Sequence, residues 1–165
     1  MHHLKCLVIG CVSLLLLFTL LGCGGSSENN LIQQGSSYLS STDIHTVDGS
    51  YAEDLQFQAK KDGYIQVDMM SSDLDSYIVV WNGTAADPDA STLIGNNDDG
   101  GVGHNARLIF ASSRGAYYTC RFTTFRGGFS GSYDYSVSQV NARGAAHLPT
   151  TGASLPMGKL HPFAP

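Results

Sequence analysis

Charge is scarce in this sequence: Asp, Glu, Lys and Arg make up 14% of 165 residues, where an average globular chain holds roughly a quarter. The few cations are scattered, with no basic stripe to neutralise phosphates, which excludes nucleic acid as a partner. Cysteine is also sparse, at Cys6, Cys11, Cys23 and Cys120. Strong helix formers thin out after residue 25, so a helical domain is not expected. No HExxH, GxSxG, CxxC or P-loop pattern occurs, and the sequence offers no catalytic constellation of a familiar kind. An enzyme is therefore not expected. Proline is nearly confined to the end of the chain: only Pro88 precedes residue 141.

A greasy leader comes first. Met1 to Lys5 carries one fixed positive charge, and Cys6 to Leu21 is almost unbrokenly apolar. That run is shorter than the about 20 residues a spanning helix needs, and it suits the core of a cleaved signal peptide. Leu20-Leu21-Gly22-Cys23 follows, then Gly24-Gly25-Ser26-Ser27. These residues resemble the lipobox of bacterial lipoproteins. The resemblance implies cleavage after Gly22, with diacylglycerol on the Cys23 sulfur and a fatty acid on the new amino terminus. Two or three acyl chains, each contributing about 0.8 kcal/mol per buried methylene, anchor stably where one would not. The absence of Asp at position 24 points, in a Gram-negative envelope, to the outer membrane. With Cys23 lipidated, only Cys120 keeps a thiol and no internal disulfide forms. Losing Lys5 with the leader takes the net charge from −5 to −6 (−5 − 1).

The remainder divides into a flexible tether over 23–37, a folded domain over 38–140 and a Pro-rich disordered tail over 141–165. Within the tail, Leu148-Pro149-Thr150-Thr151-Gly152 spells a sortase motif. It lacks the hydrophobic stretch and basic end a sorting signal requires, so it is read as a chance match.

Period-2 alternation dominates the domain. Leu55, Phe57 and Ala59 alternate with Gln56 and Gln58; Ile65, Val67 and Met69 share one face; Leu108 and Phe110 share another. Tyr118, Cys120 and Phe122 alternate with Tyr117, Thr119 and Arg121 in what reads as the longest strand, 116–125. Tyr133, Tyr135 and Val137 close the series. Residues 76–81 are continuously apolar, as in a strand buried on both faces. Lys61-Asp62-Gly63 reads as a hairpin turn. About seven or eight antiparallel strands result, and with turn signals at intervals of roughly 8–12 residues they predict an all-β, jelly-roll-like sandwich.

The ordered pieces Gly49-Ser50-Tyr51, Gly63-Tyr64-Ile65, Ser71-Ser72-Asp73-Leu74-Asp75, Asn97-Asp98-Asp99-Gly100, Asn105-Ala106-Arg107-Leu108, Gly115-Ala116-Tyr117-Tyr118 and Gly131-Ser132-Tyr133-Asp134-Tyr135 resemble the bacterial pre-peptidase C-terminal domain over roughly residues 36–140. That family is related to the collagen-binding domains of secreted collagenases. The resemblance implies a jelly-roll-like sandwich with a binding or accessory role, although no enzyme domain is expected in this chain.

Two acidic loops are the candidate site. Asp73 and Asp75 precede one strand, and Asp98 and Asp99 lie before another. Carboxylates in loops suit Ca2+, which takes 6–8 oxygen ligands, and the resemblance adds that related collagen-binding domains use calcium. The same residues also serve to cap turns by accepting backbone N–H bonds; the sequence leaves both readings open. Trp81, Tyr77, Tyr117 and Phe125 are candidates for a platform under sugar rings or peptide, and equally for core packing. His104 beside Asp98 or Asp99 is the sole arrangement resembling a catalytic base with its orienter. The function expected is a lipid-anchored envelope module that binds protein or polysaccharide. The alternatives are a structural lipoprotein packing against partner subunits and a small hydrolase.

Overall fold

The computed structural model describes residues 30–86 and 88–141. The expected signal peptide, the Cys23 lipid site, residues 142–165 and the sortase-like motif lie outside the described residues. Nine strands and no helix are found among the described residues: β1 (Leu31–Leu39), β2 (Ile44–His45), β3 (Tyr51–Gln58), β4 (Gly63–Met70), β5 (Ser76–Asn82), β6 (Leu93–Asn97), β7 (Ala106–Ser112), β8 (Tyr117–Thr124) and β9 (Gly131–Val140). They form two antiparallel sheets, ordered β1-β9-β4-β7 and β2-β3-β8-β5-β6. The all-β sandwich is thus present, with nine strands rather than seven or eight.

The alternating residues meet between the sheets. Ile65, Val67 and Met69 of β4, Ile78 and Val80 of β5, Leu108 and Phe110 of β7, Cys120 and Phe122 of β8, and Val137 of β9 all belong to one buried core. Each fully buried aliphatic side chain there contributes about 1.5–3 kcal/mol. The outer face of the four-stranded sheet is polar: Asp68 of β4 pairs with Arg107 and accepts from Gln66 and Ser136.

The five-stranded sheet is covered on its outer side as well. Tyr77, Val79 and Trp81 form a second buried cluster with Leu93 against it. The segment after β5 folds back over this face. Trp81 Nε1 donates to the Ala85 carbonyl at 2.9 Å, and Arg121 donates to that of Ala86 at 3.2 Å. This accounts for the unbroken apolar run of β5, which is buried on both faces.

Three details depart from the sequence reading. β1 begins at Leu31, inside the stretch expected to be tether, and pairs with β9 from Leu31↔Ser138 to Leu39↔Gly131. The turn before Gly63 is not a hairpin: β3 pairs with β2 and β8, whereas β4 pairs with β7 and β9. The chain therefore crosses between sheets there, although Gly63 does take the positive φ (136°) expected of it. The longest strand is β9, with 10 residues against 8 in β8.

The sandwich has two distinct poles. At one, Gln139 N donates to the Asn30 carbonyl, and Gly115 N to that of Ala59. At the other, the loops 46–50, 71–75, 98–105 and 125–130 are stitched together. Gly128 N donates to the Gly49 carbonyl, Phe125 N to that of Asp75, and Ser76 N to that of His104.

Candidate metal centre

The second pole holds the two acidic loops, and its backbone bonds decide which side chains meet. Asn97 Oδ1 accepts from Gly100 N, folding residues 97–100 into a tight turn. Gly101 N donates to the Asn105 carbonyl at 2.8 Å, and Asn105 Oδ1 accepts from Ser71 N at 2.9 Å. The 98–105 loop is thereby tied to the 71–75 loop. Glycine is required at position 100, since a Cβ there would lie 2.3 Å from the Arg107 carbonyl oxygen and 2.5 Å from Asn97 Oδ1.

The outcome is a three-residue cluster of Asp75, Asp99 and His104. His104 Nδ1 lies 3.8 Å from an oxygen of Asp75 and 3.8 Å from an oxygen of Asp99. These distances are too long for hydrogen bonds. One ligand atom from each residue falls within 4.8 Å of the others. First-row and alkaline-earth cations sit about 2.0–2.6 Å from their ligands, so the three atoms could surround a single divalent metal ion. The cluster is open to water: Asp75, at 38% side-chain exposure, is the least accessible of the three.

Of the four carboxylates expected to bind calcium, the structure brings two together. Asp73 is turned to its own loop and to β9, accepting from Ser72 Oγ at 3.0 Å and Ser132 N at 3.4 Å. Asp98 accepts from Asp99 N at 3.0 Å. Both act as turn caps, the other role open to such residues. The place of His104 beside Asp75 is not visible in sequence, because 29 positions (104 − 75) separate them. Two carboxylates and an imidazole are a mixed oxygen and nitrogen set. Calcium prefers oxygen throughout, while imidazole suits zinc, copper, iron and nickel.

The aromatic candidates divide. Trp81 and Tyr77 are buried, so neither offers a platform, whereas Tyr117 and Phe125 are 52% and 45% exposed. Tyr77 donates its hydroxyl to Asn96 at 2.7 Å. Burial pushes its ionisation well above the usual phenol range, and the Asp98 and Asp48 carboxylates push it further. Phe125 leans on the Tyr77 ring, 6.2 Å between centroids, beside the cluster. Phe129 and Val47, on the adjoining loops, are also exposed.

Fold and cluster together define a two-sheet β-sandwich with a carboxylate and imidazole group at one pole. No family model matches the chain, and no curated protein matches it. Among solved structures it is similar to the pre-peptidase C-terminal domain of a collagenase from Bacillus anthracis, with TM-score 0.48 and 15% identity over 66% of this chain and 90% of that one. It is also similar to PliG of Aeromonas hydrophila, a periplasmic inhibitor of g-type lysozyme, with TM-score 0.48 and 16% identity over 68% of this chain and 89% of that one. Likeness at this level is one of sandwich architecture alone.

Proposed function

We propose that this chain is a non-enzymatic, lipid-anchored module of the bacterial envelope that binds a protein or polysaccharide through its loop pole, with a divalent cation bracing the loops. The observation that carries the reading is the convergence of Asp75 and Asp99, from separate loops, on His104. Exposed Phe125, Phe129 and Val47 on the neighbouring loops give the same pole apolar contact area. Partners favour surfaces that combine such groups with a fixed polar geometry. The envelope location rests on Gly22-Cys23 and the apolar run before it.

The cation is tested by melting the full chain in detergent with Ca2+, Mn2+, Zn2+ or chelator. A cation that binds only the folded state raises the midpoint by mass action. The Asp75→Asn, Asp99→Asn double variant loses that rise. Identical melting curves under all four conditions would sink the cation. The anchor is tested by feeding cells labelled palmitate, which enters the wild-type chain and not the Cys23→Ser variant.

A further inference from the structure

A groove lies on the flank of the sandwich between β1 and β3, toward the ends of these strands that lead to the loop pole. It encloses about 540 Å³ and is lined by Ser36, Ser37, Asp43, Glu53, Tyr133 and Tyr135 among others. Its origin is in β1. The residues of β1 opposite the inward rings of β9 are small: Ser37 faces Tyr133, and Gly35 faces Tyr135. A Cβ on Gly35 would already meet the Tyr135 ring at 2.8–3.0 Å. Leu39 fills the space between the sheets; Tyr135 packs over Gly35, and small Ser37 lines the opening.

The floor is aromatic. The Phe122 ring centroid lies 5.4 Å from that of Tyr133 and 5.1 Å from that of Tyr135. The walls carry carboxylates, and no Lys or Arg among the described residues lines the space. Asp54 is already engaged, bonded twice to Arg121 through the other face of the sheet. Asp43 accepts from the Ser40 backbone and hydroxyl at the rim. Glu53 is different. It points inward from β3, is half-buried, and its one hydrogen bond among the described residues is from the Tyr133 hydroxyl. No cation pairs with it among the described residues. A half-buried carboxylate without a counter-ion is costly, and ring faces beside it attract positive charge.

We propose that this groove is a binding site for an arginine or lysine side chain presented by a partner protein. Glu53, with Asp43 at the rim, takes the charge, and the half-buried Tyr135 ring flanks the aliphatic stem, with buried Tyr133 beneath it. A polypeptide is the better-fitting source because β1 is the outermost strand of its sheet. An extended segment laid along that edge directs every second side chain to one face. The inference rests on the proposed function only in treating the chain as a binding module. It uses none of Asp75, Asp99 and His104.

The test is a titration of the full chain in detergent, followed by NMR at residues 36–37, 53–55, 133 and 135. The probes are N-acetyl-arginine methylamide, its neutral isostere N-acetyl-citrulline methylamide, and chitotriose, each with chelator present. The arginine probe gives saturable shifts at these residues, and the citrulline probe binds about tenfold more weakly or worse, as losing a charge-assisted bond requires. Glu53→Gln gives a similar loss with an unchanged circular dichroism spectrum. Equal binding of the two amino-acid probes would overturn the proposal, as would no saturable shift from arginine, or groove shifts from chitotriose alone. The comparison of probes on the wild-type chain decides the matter even should Glu53→Gln fail to fold. Chelator keeps the result separate from the cation reading.

Discussion

The guanidinium carbon of Arg121 sits 5.2 Å from the centre of the Trp81 ring, on the outer side of the five-stranded sheet and sealed from water. The same guanidinium holds Asp54 with two bonds, of 2.7 and 2.8 Å. A buried cation survives there because an anion, a carbonyl and an aromatic face share it.

Arg121→Ala removes all three interactions and leaves Asp54 without its partner. Breaking a buried pair in this way costs about 3–5 kcal/mol, read as a lower midpoint in urea. The double change Arg121→Met, Asp54→Leu removes both charges while keeping volume, and recovers most of the loss. Equal stability of Arg121→Ala and wild type would show that the pair contributes nothing.

Alkali should unfold the domain through its tyrosines. Burial raises the Tyr133 phenol, and the bond and charge of Glu53 raise it further; Tyr77 is raised by burial first. An unfolded phenol ionises near pH 10, so the unfolded state gives up protons that the folded state keeps. The stability these groups contribute is whole below about pH 10 and is lost as pH climbs beyond it. Tyr133→Phe is less stable at pH 7 by about 0.5–1.5 kcal/mol, for the lost hydrogen bond, yet falls less steeply above pH 10. Parallel curves for the two proteins would refute this.

Cys120 should be inert in the folded chain. It lies in the core, and burial, then the Asp54 charge, lift its thiol well above the ordinary range. Only the thiolate reacts readily, so alkylation by iodoacetamide tracks global unfolding and accelerates sharply across the urea transition. Rapid labelling of Cys120 in the native state would contradict the placement of β8.

Gly100→Ala tests how the metal cluster is held. The added methyl collides with the Arg107 carbonyl and Asn97, and relieving such crowding costs about 1–3 kcal/mol. The turn that presents Asp99 shifts, and any cation-dependent rise in melting midpoint shrinks or vanishes. An undiminished rise would detach Asp99 from the site.

The sandwich was legible wherever one face of a strand is greasy and the other polar, as in Ile65, Val67 and Met69. The run of β5 announced burial on both sides. β1 is not legible, because its inward positions hold Gly35 and Ser37, too small and polar to draw an alternating pattern. The groove beside β1 is illegible for that same reason. The turn before Gly63 has hairpin chemistry, but turn chemistry sets the local backbone and not the partner of the next strand. At the site, the sequence pointed to the right loops and could not say which carboxylates converge. Asp73 and Asp98 are drawn off by nearby N–H and O–H donors, and His104 enters through a tertiary bond at its carbonyl. Trp81 and Tyr77 pack, the commoner role for such residues, but nothing in the sequence shows that the segment after β5 covers Trp81.

The bond from Gln139 N to the Asn30 carbonyl puts the beginning and the end of the described chain at one pole. Eight Cα steps lead from Cys23 to Leu31 (31 − 23), a reach of at most about 29 Å. An acyl chain at Cys23 would thus hold that pole close to the headgroups, on a leash shorter than the bilayer is thick. Asp75, Asp99 and His104 would then ride at the far tip, turned toward whatever approaches from outside.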